Sequence, residues 1–194
     1  MRTHPQRILP RHAVFTLLTL TLLGCAQEEP REPAALALKP DRATLLRLAE
    51  QMETHLKTEV LAKWFPACVD TKYGGFSPSF TETWQRGKDN SMFLVFQGRM
   101  TWVTSKIALR YPDMADTYKG YARHGAKFLN DVLWDKDCGG FFWGLDQNSK
   151  LSPSFGDEKH VYGISFGIYG AAAAYEATHD ADALDLAKRA FAWL

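Results

Sequence analysis

Apolar residues recur every three or four positions across residues 41–63, the spacing of one face of an α-helix. This stripe consists of Leu45, Leu48, Met52, Leu56 and Val60. Asp41 precedes the stripe as a candidate N-terminal cap, and Pro66 follows just beyond its end. The pattern predicts an amphipathic helix with one apolar side.

The same periodicity predicts four further helices, over residues 91–110, 114–133, 160–178 and 180–194. The first of these ends at Tyr111-Pro112, because the residue before a proline disfavours helical geometry. Two Gly-Gly-Phe segments, within residues 70–80 and 137–146, predict short β-hairpins or extended loops. The predicted order is helix, hairpin, helix, helix, hairpin, helix, helix.

The chain repeats itself at one constant offset, which is the separation of Gly74 from Gly139. Tyr73-Gly74-Gly75-Phe76 matches Cys138-Gly139-Gly140-Phe141, residues 121–129 resemble residues 186–194, and Gln97-Gly98 falls on Tyr162-Gly163. A long, constant period indicates a repeat architecture, in which each unit is one supersecondary structure.

The helix predicted over residues 160–178 is apolar nearly all round, with Gly163, Gly167 and Gly170 on related faces. Such a helix is buried and closely approached by its neighbours. The helices over 114–133 and 180–194 are amphipathic and belong outside it. Alternating inner and outer helices predict an all-α fold, an (α/α) toroid with short β-hairpins between the helices.

A closed ring of this kind needs about six helix pairs, whereas five helices are predicted here. The sequence ends in Phe191-Ala192-Trp193-Leu194, although repeat arrays need a polar terminal cap to be soluble. We therefore expect residues 41–194 to form an incomplete toroid. It is either a truncated fragment or part of an assembly that self-associates through the open flank.

Residues 1–25 have the pattern of an export signal. Arg2, Arg7 and Arg11 precede an apolar run over residues 13–23, which is too short to span a bilayer. Leu22-Leu23-Gly24-Cys25 then resembles a bacterial lipoprotein signal, with the lipid on Cys25; the alternative is an ordinary secretory signal. Residues 26–40 have the composition of a flexible tether. We expect a lipid-anchored protein of the bacterial cell envelope.

Composition agrees with a packed globular domain, since 46% of the residues are hydrophobic and 13% are aromatic. The 23 basic and 22 acidic residues are dispersed, so the sequence has no footprint of nucleic-acid binding. Cys68 and Cys138 would permit a disulfide in an exported chain but do not establish one. No metal-ligand spacing occurs.

Arg99 is the unusual residue of the helix over 91–110. Its neighbours at helical spacing include Phe96, Trp102 and Val103, so the guanidinium falls at or beside an apolar stripe. A charge in that position is either paired with a carboxylate or helix-end carbonyls, or it faces a polar cavity. Spacing alone leaves both interpretations open.

Three segments resemble the N-terminal half of the N-acylglucosamine 2-epimerase family, which includes cellobiose 2-epimerases and mannose isomerases. They are Lys88 with residues 96–102, the Trp134-Asp135 to Trp143 segment, and Lys159-His160-Val161-Tyr162-Gly163. The resemblance implies an (α/α)6 barrel of about twice this length. It also implies epimerisation or isomerisation of an aldose through a cis-enediolate, with a sugar as the substrate and no cofactor.

The resemblance implies roles for particular residues. Arg99 corresponds to the family's arginine that faces the enediolate oxygens, where a fixed positive charge stabilises developing negative charge. Tyr162 corresponds to a tyrosine that hydrogen-bonds the sugar, although a buried core tyrosine is the alternative. Gln97, the repeat partner of Tyr162, is predicted to lie on the same rim.

Three more residues are candidate sugar contacts. His160 precedes Tyr162 and would line the mouth of the site, or else it is a solvated residue at a helix start. Trp84 and Trp143 fall in or near the predicted hairpins, where each would stack on a sugar or pack into the core.

The family's acid/base histidines belong to later helices, so no general base can be assigned, and we expect this chain to be inactive alone. Two other functions stay open. One is a non-catalytic carbohydrate-binding or structural lipoprotein. The other is an (α/α)-toroid glycoside hydrolase or lyase, which would need two carboxylates across the cleft. Asp157 and Glu158 read more naturally as an acidic helix cap.

Overall fold

The computed structural model describes residues 41–88 and 91–194. The predicted signal and tether, with Cys25, lie outside these residues. The chain divides into two units, Met1–Asp41 and Arg42–Leu194, and the second contains every helix and strand named below.

Six α-helices and two short strands make up the described part of the chain. They are α1 (Arg42–His55), α2 (Ala62–Trp64), β1 (Met92–Phe93), α3 (Leu94–Arg110), α4 (Ala115–Phe128), β2 (Gly144–Leu145), α5 (Val161–Thr178) and α6 (Ala181–Trp193). A π-helical turn, Leu56–Leu61, joins α1 to α2, and another, Leu129–Leu133, extends α4. The predicted helices are confirmed, with bounds that differ by at most three residues.

Helices α3 and α5 are the inner pair, and they meet backbone to backbone. A Cβ atom placed on Gly98 would lie 2.3 Å from the carbonyl oxygen of Phe166, and one on Gly170 would lie 2.7 Å from the carbonyl oxygen of Gly98. Glycine at both positions lets the two helix axes approach more closely than any side chain would allow.

Helices α4 and α6 pack outside this pair. One apolar core, with Leu94, Phe128, Leu129, Ile164 and Leu186 among its buried members, joins α3, α4, α5 and α6. A second core, with Leu61, Phe65, Phe76, Ile107 and Tyr118, joins the end of the first helix to α3 and α4. The predicted alternation of inner and outer helices is therefore confirmed.

The Gly-Gly-Phe loops repeat at the level of single hydrogen bonds. The Asp70 amide donates to the Gly75 carbonyl, and the Asp135 amide donates to the Gly140 carbonyl, so the equivalent bonds keep the offset of the sequence repeat. Each aspartate carboxylate also accepts two backbone amide hydrogens of its own loop. Both loops need glycine, because all four Gly-Gly positions have a positive φ between 70° and 85°.

An aromatic ring from the following outer helix covers each Gly-Gly turn. The Phe128 ring lies against Gly74 and Gly75, and the Trp193 ring lies against Gly139 and Gly140, at the same offset once more. The Trp193 indole also donates to the Cys138 carbonyl at 3.1 Å. The repeat seen in the sequence is therefore a repeat of loop-on-helix packing.

Short antiparallel pairings close the two loops and form a small sheet next to α3. Single antiparallel bridges close them, Val69 with Phe76 and Trp134 with Phe141, so each is a turn rather than an extended hairpin. Strand β1 then pairs antiparallel with β2, with Met92 opposite Leu145. This small sheet lies just before α3 and fixes the N-terminal end of that helix.

Two apolar surfaces are more exposed than predicted. No residue of α1 is buried, and Leu45, Leu48 and Met52 of its stripe are exposed. The expectation that α5 is buried all round is wrong for one face, because Val161, Tyr162, Ser165 and Tyr169 are exposed. Its small residues pack on α3, which leaves these four positions on another side of the helix.

Asp135 is held in its ionised form by the second loop. The Lys159 ammonium lies 2.6 Å from its carboxylate, and the amides of Cys138 and Asp137 donate to it. The Lys159 hydrogen bond first, and then the backbone donors, lower the pKa of Asp135 from 3.8 to about 2. The first loop has a similar pair, Asp70 with Arg86 at 2.7 Å.

This depressed pKa predicts a specific acid sensitivity. The stabilisation by ionised Asp135 is complete above the unfolded pKa of 3.8 and is lost as the pH falls towards about 2. As the pH falls through that window, the free energy of unfolding of the native chain should decrease. We expect this decrease to be larger than the decrease in Asp135→Asn by on the order of 2 kcal/mol. Urea unfolding across the window measures the difference. Asp137→Asn, an exposed neighbour, serves as the control and should behave like the native chain; equal acid dependence in Asp135→Asn would contradict the prediction.

Candidate functional site

A groove of about 470 Å³ runs between the two inner helices. Its lining residues are Arg99, Trp102 and Val103 from α3, and Ser165, Phe166 and Tyr169 from α5. On each helix the three lining positions lie within about one turn of each other, so the groove follows one side of each helix.

The groove lies on the side of α3 that faces away from the outer helices. Thr101 of α3 contacts α4, since a Cβ on Gly125 would lie 2.3 Å from the Thr101 hydroxyl oxygen. Arg99 is two residues earlier, roughly 200° around the helix. Arg99 therefore lies on the side of α3 opposite α4, where it lines the groove.

Arg99 carries a positive charge that the described residues do not neutralise. Within residues 41–88 and 91–194, no carboxylate lies within ion-pair distance of its guanidinium. The guanidinium carbon lies 4.7 Å from the centroid of the Phe166 ring, which is a cation–π contact across the groove. Of the two interpretations left by the sequence, the structure supports an arginine that faces a cavity.

The other walls of the groove are aromatic. Trp102 and Tyr169 stack nearly parallel, with ring centroids 5.2 Å apart and an interplanar angle of 17°. The Phe166 ring meets the edge of Tyr162 at 5.1 Å and that of Tyr169 at 6.2 Å. The result is a positive group set among ring faces, an arrangement suited to a polar ligand with apolar faces.

Three of the predicted sugar contacts come together at the N-terminal end of α5. The Trp143 ring centroid lies 4.4 Å from that of His160 and 6.4 Å from that of Tyr162. Tyr162 is 58% exposed, so it is not the core tyrosine of the alternative interpretation. His160 Nε2 lies 3.0 Å from a carboxylate oxygen of Glu158.

The backbone of Trp143 holds this group against α3. Its carbonyl accepts from the Leu94 amide, the first of α3, and its amide donates to the Glu158 carbonyl. Through Tyr162 and Phe166, the rim residues adjoin the Arg99 groove.

Gln97 does not belong to the rim, contrary to the prediction. It is 1% exposed, and its side-chain amide spans the backbone of Phe76: the oxygen accepts from the Phe76 amide at 2.8 Å, and the nitrogen donates to the Phe76 carbonyl at 2.7 Å. Both polar ends are used within the fold. We assign Gln97 to holding the first Gly-Gly-Phe loop on α3.

Trp84 lies in a different part of the structure from the rim group. It belongs to an aromatic cluster with Trp64, Phe80 and Phe96, at centroid distances of 5.4 to 6.4 Å. Trp84 as a residue is 37% exposed, and its φ of 60° places it in a tight turn. Trp84 therefore packs in this cluster as an exposed residue and does not line the Arg99 groove.

Sequence reasoning missed Trp102, Phe166 and Tyr169 as groove residues. Trp102 lies one turn after Arg99, and Phe166 and Tyr169 lie one and two turns after Tyr162, so the helical period was the available signal.

Among the described residues no cluster of histidine, cysteine, aspartate and glutamate has the arrangement of a metal site. Cys68 and Cys138 are both free thiols. No helix within residues 41–88 and 91–194 is long and apolar enough to cross a membrane.

Relatives of known activity match this chain along part of their length. The cellobiose 2-epimerase of Bacteroides fragilis is 29% identical over 144 residues, which is 74% of this chain and 36% of the relative. The cellobiose 2-epimerase of Eubacterium cellulosolvens is 28% identical over 131 residues, covering 68% of this chain and 31% of the relative. The chain spans about a third of the length of these relatives.

Solved structures agree with the observed architecture. Cellobiose 2-epimerase from Spirochaeta thermophila superimposes with a TM-score of 0.64 at 26% identity, covering 81% of this chain and 37% of that one. A D-mannose isomerase gives 0.64 at 25% identity, covering 75% and 34%. These epimerases have an (α/α)6 barrel fold, so the predicted toroid class is confirmed. The family profile matches residues 74–194, and the chain belongs to the N-acylglucosamine 2-epimerase (GlcNAc 2-epimerase) family.

Proposed function

We propose that this chain forms one wall of the sugar site of a carbohydrate 2-epimerase or aldose–ketose isomerase, and that Arg99 stabilises a cis-enediolate there. The observation that carries the proposal is a guanidinium with no carboxylate partner among the described residues, in an aromatic groove between two inner helices. The relatives are named cellobiose 2-epimerase and D-mannose isomerase, which agrees with a sugar ligand.

The proposed reaction requires a fixed positive group such as the Arg99 guanidinium. Removing a proton from the carbon beside a sugar carbonyl spreads negative charge over two neighbouring oxygens. A fixed guanidinium donates hydrogen bonds to both oxygens, and its charge acts more strongly beside apolar rings than in water. Because Arg99 is not paired with an acid in the described part of the chain, its positive charge is available to this anion.

Proton transfer needs a group that the groove lacks within the described residues. Among them, none of His55, His124, His160 and His179 lines the groove, and neither does a carboxylate. A hydrolase with two carboxylates across the cleft is therefore less consistent with this groove than an epimerase wall. We propose that this polypeptide alone binds sugar without turning it over; conversion of cellobiose by the purified chain would contradict this.

The role of Arg99 is tested with D-arabinonohydroxamate, which has the shape of a cis-enediolate and is an anion in solution alkaline enough to ionise the hydroxamic acid, and with neutral cellobiose under the same conditions. We expect Arg99→Gln to weaken hydroxamate binding by roughly tenfold to a hundredfold, because it removes a charge-assisted hydrogen bond, and to change cellobiose binding far less. Calorimetry measures both affinities. Arg110→Gln, at the exposed end of the same helix, is the matched control. Equal losses for both ligands, or no loss for the hydroxamate, would contradict the proposal.

A second candidate is a carbohydrate-binding or structural lipoprotein that self-associates. The exposed apolar side chains of α1, α5 and α6, including Met52, Val161 and Phe191, favour it. A discrete dimer in sedimentation, with cellobiose and hydroxamate bound equally well, would support this candidate over the first. A monomer that prefers the hydroxamate would exclude it.

We also propose that the protein is exported and anchored to the bacterial cell envelope by lipid on Cys25. The support is the sequence Leu22-Leu23-Gly24-Cys25 after an apolar run. In a bacterial host, Cys25→Ala should lose labelled palmitate and move from the membrane fraction to the soluble fraction. Cys138→Ala is the control and should stay in the membrane fraction. A membrane-bound, unlabelled native protein would contradict the lipid anchor.

A further inference from the structure

Phe166 is the closest aromatic partner of the Arg99 guanidinium, at 4.7 Å from the guanidinium carbon to the ring centroid. Its ring is partly buried, whereas Arg99 is exposed to the groove. A long, exposed arginine side chain normally samples many rotamers, and a ring face restricts it without contributing an opposing charge. A carboxylate in the same place would also hold Arg99, but it would compete with any anionic ligand.

The Phe166 ring is itself held in place from both sides. Tyr162 and Tyr169, about one turn before and after it on α5, meet it edge to face at 5.1 and 6.2 Å. Its backbone carbonyl lies against Gly98, the residue directly before Arg99. The close contact of the two helices therefore fixes the height of the ring relative to the base of the arginine side chain.

We propose that Phe166 is the positioning residue of Arg99, which holds the guanidinium over its ring face and leaves the N–H donors free for an anionic sugar intermediate. The inference rests on the proposed function, because it assumes that Arg99 meets an anion. Phe166 acts through Arg99, so its replacement should affect an anionic ligand more than a neutral one.

The first test needs no ligand. In nuclear magnetic resonance spectra, the δ-methylene protons of Arg99, assigned by their loss in Arg99→Lys, should be shifted upfield of those of exposed Arg47 by the Phe166 ring current. Phe166→Leu should move them to the Arg47 position, while Phe166→Tyr should keep the shift. Unchanged Arg99 shifts in Phe166→Leu would overturn the proposal, whatever the ligand proves to be.

The second test uses the two probes already named. Phe166→Leu should weaken D-arabinonohydroxamate binding about threefold to fivefold more than it weakens cellobiose binding, as expected for the loss of one cation–π contact on top of any lost sugar contact. Phe166→Tyr should restore the hydroxamate affinity. Phe142→Leu is the matched control, since Phe142 lies 5.4 Å from the ammonium of Lys159, outside the groove.

The outcomes of these tests distinguish the positioning role of Phe166 from the proposed function of Arg99. Equal weakening of both probes in Phe166→Leu would make Phe166 a packing or sugar-contact residue and overturn the positioning role. Hydroxamate binding that is absent, or insensitive to Arg99→Gln, would reject the proposed function, while the Arg99 shifts would still decide whether Phe166 holds the guanidinium. If Phe166→Leu does not fold, Phe166→Tyr and Phe166→Met supply the same comparison.

Discussion

Replacing Gly98 by alanine is expected to destabilise the protein by about 3 kcal/mol, although it adds one methyl group to a residue within a helix. The added Cβ would lie 2.3 Å from the Phe166 carbonyl oxygen and 2.8 Å from the carbonyl carbon. These are backbone atoms of α5, so no side-chain rotation can relieve the overlap. The two inner helices would have to move apart, and the contact of Gly170 with Gly98 would be lost with them.

The same substitution elsewhere provides the control. Gly120 is within α4, and a Cβ there would meet nothing within 4 Å. Gly120→Ala should therefore stabilise the protein by about 0.5–1 kcal/mol, because alanine favours the helix more than glycine does. Thermal unfolding measures both, with an expected fall of roughly 6–12 °C for Gly98→Ala. A Gly98→Ala protein as stable as Gly120→Ala would show that the inner helices do not meet at this point.

The two Gly-Gly loops could be predicted from the sequence because the backbone of each turn requires glycine. The turn needs left-handed φ values at two successive positions, and glycine alone adopts these without strain. The pairs Gly74-Gly75 and Gly139-Gly140 therefore mark the loops in the sequence. The ring that covers each pair also repeats, as Phe128 and Trp193, but the match of these two residues in the sequence did not predict that they contact the turns.

The roles of equivalent positions could not be predicted in this way. Gln97 and Tyr162 occupy matching places in the two units, and the sequence assigned both to the rim. Gln97 is buried on the backbone of Phe76, whereas Tyr162 is exposed beside Trp143. The repeat preserves the path of the chain but not the polarity of the surroundings, which depends on elements outside the unit.

The groove was predicted only in part for a similar reason. An arginine beside an apolar stripe is visible in the sequence, but its partner across the groove depends on how two helices cross. Gly98 and Gly170 set that crossing, and it places Phe166 rather than another α5 side chain opposite Arg99. Likewise, the stripe of α1 predicted a helix correctly but could not indicate that its apolar side is exposed.

Gln97→Ala is expected to cost about 4 kcal/mol, the other large effect in this structure. The Phe76 amide and carbonyl both bond the Gln97 side chain, and Phe76 is fully buried. Removing Gln97 leaves a buried donor and a buried acceptor unpaired, each at about 1–3 kcal/mol, and opens a cavity beside them. Gln51→Ala, on the exposed side of α1, is the matched control and should stay within about 0.5 kcal/mol of the native chain.

Gln97→Glu separates the hydrogen bonds from the volume. The ionised carboxylate still accepts from the Phe76 amide, but it cannot donate to the Phe76 carbonyl. Because burial disfavours the charged form and only the protonated form can donate to that carbonyl, the pKa of the new glutamate is raised. A raised pKa in the folded state gives stability that is present below the unfolded value of about 4.3 and is lost as the pH rises through the folded value. The free energy of unfolding of Gln97→Glu should therefore be closest to that of the native chain in mildly acidic solution, and it should decrease progressively towards neutral pH. Urea unfolding of both variants across that pH range measures these free energies. If Gln97→Glu is less stable than the native chain by the same amount at every pH, then packing, and not the paired hydrogen bonds to Phe76, holds the first loop on α3.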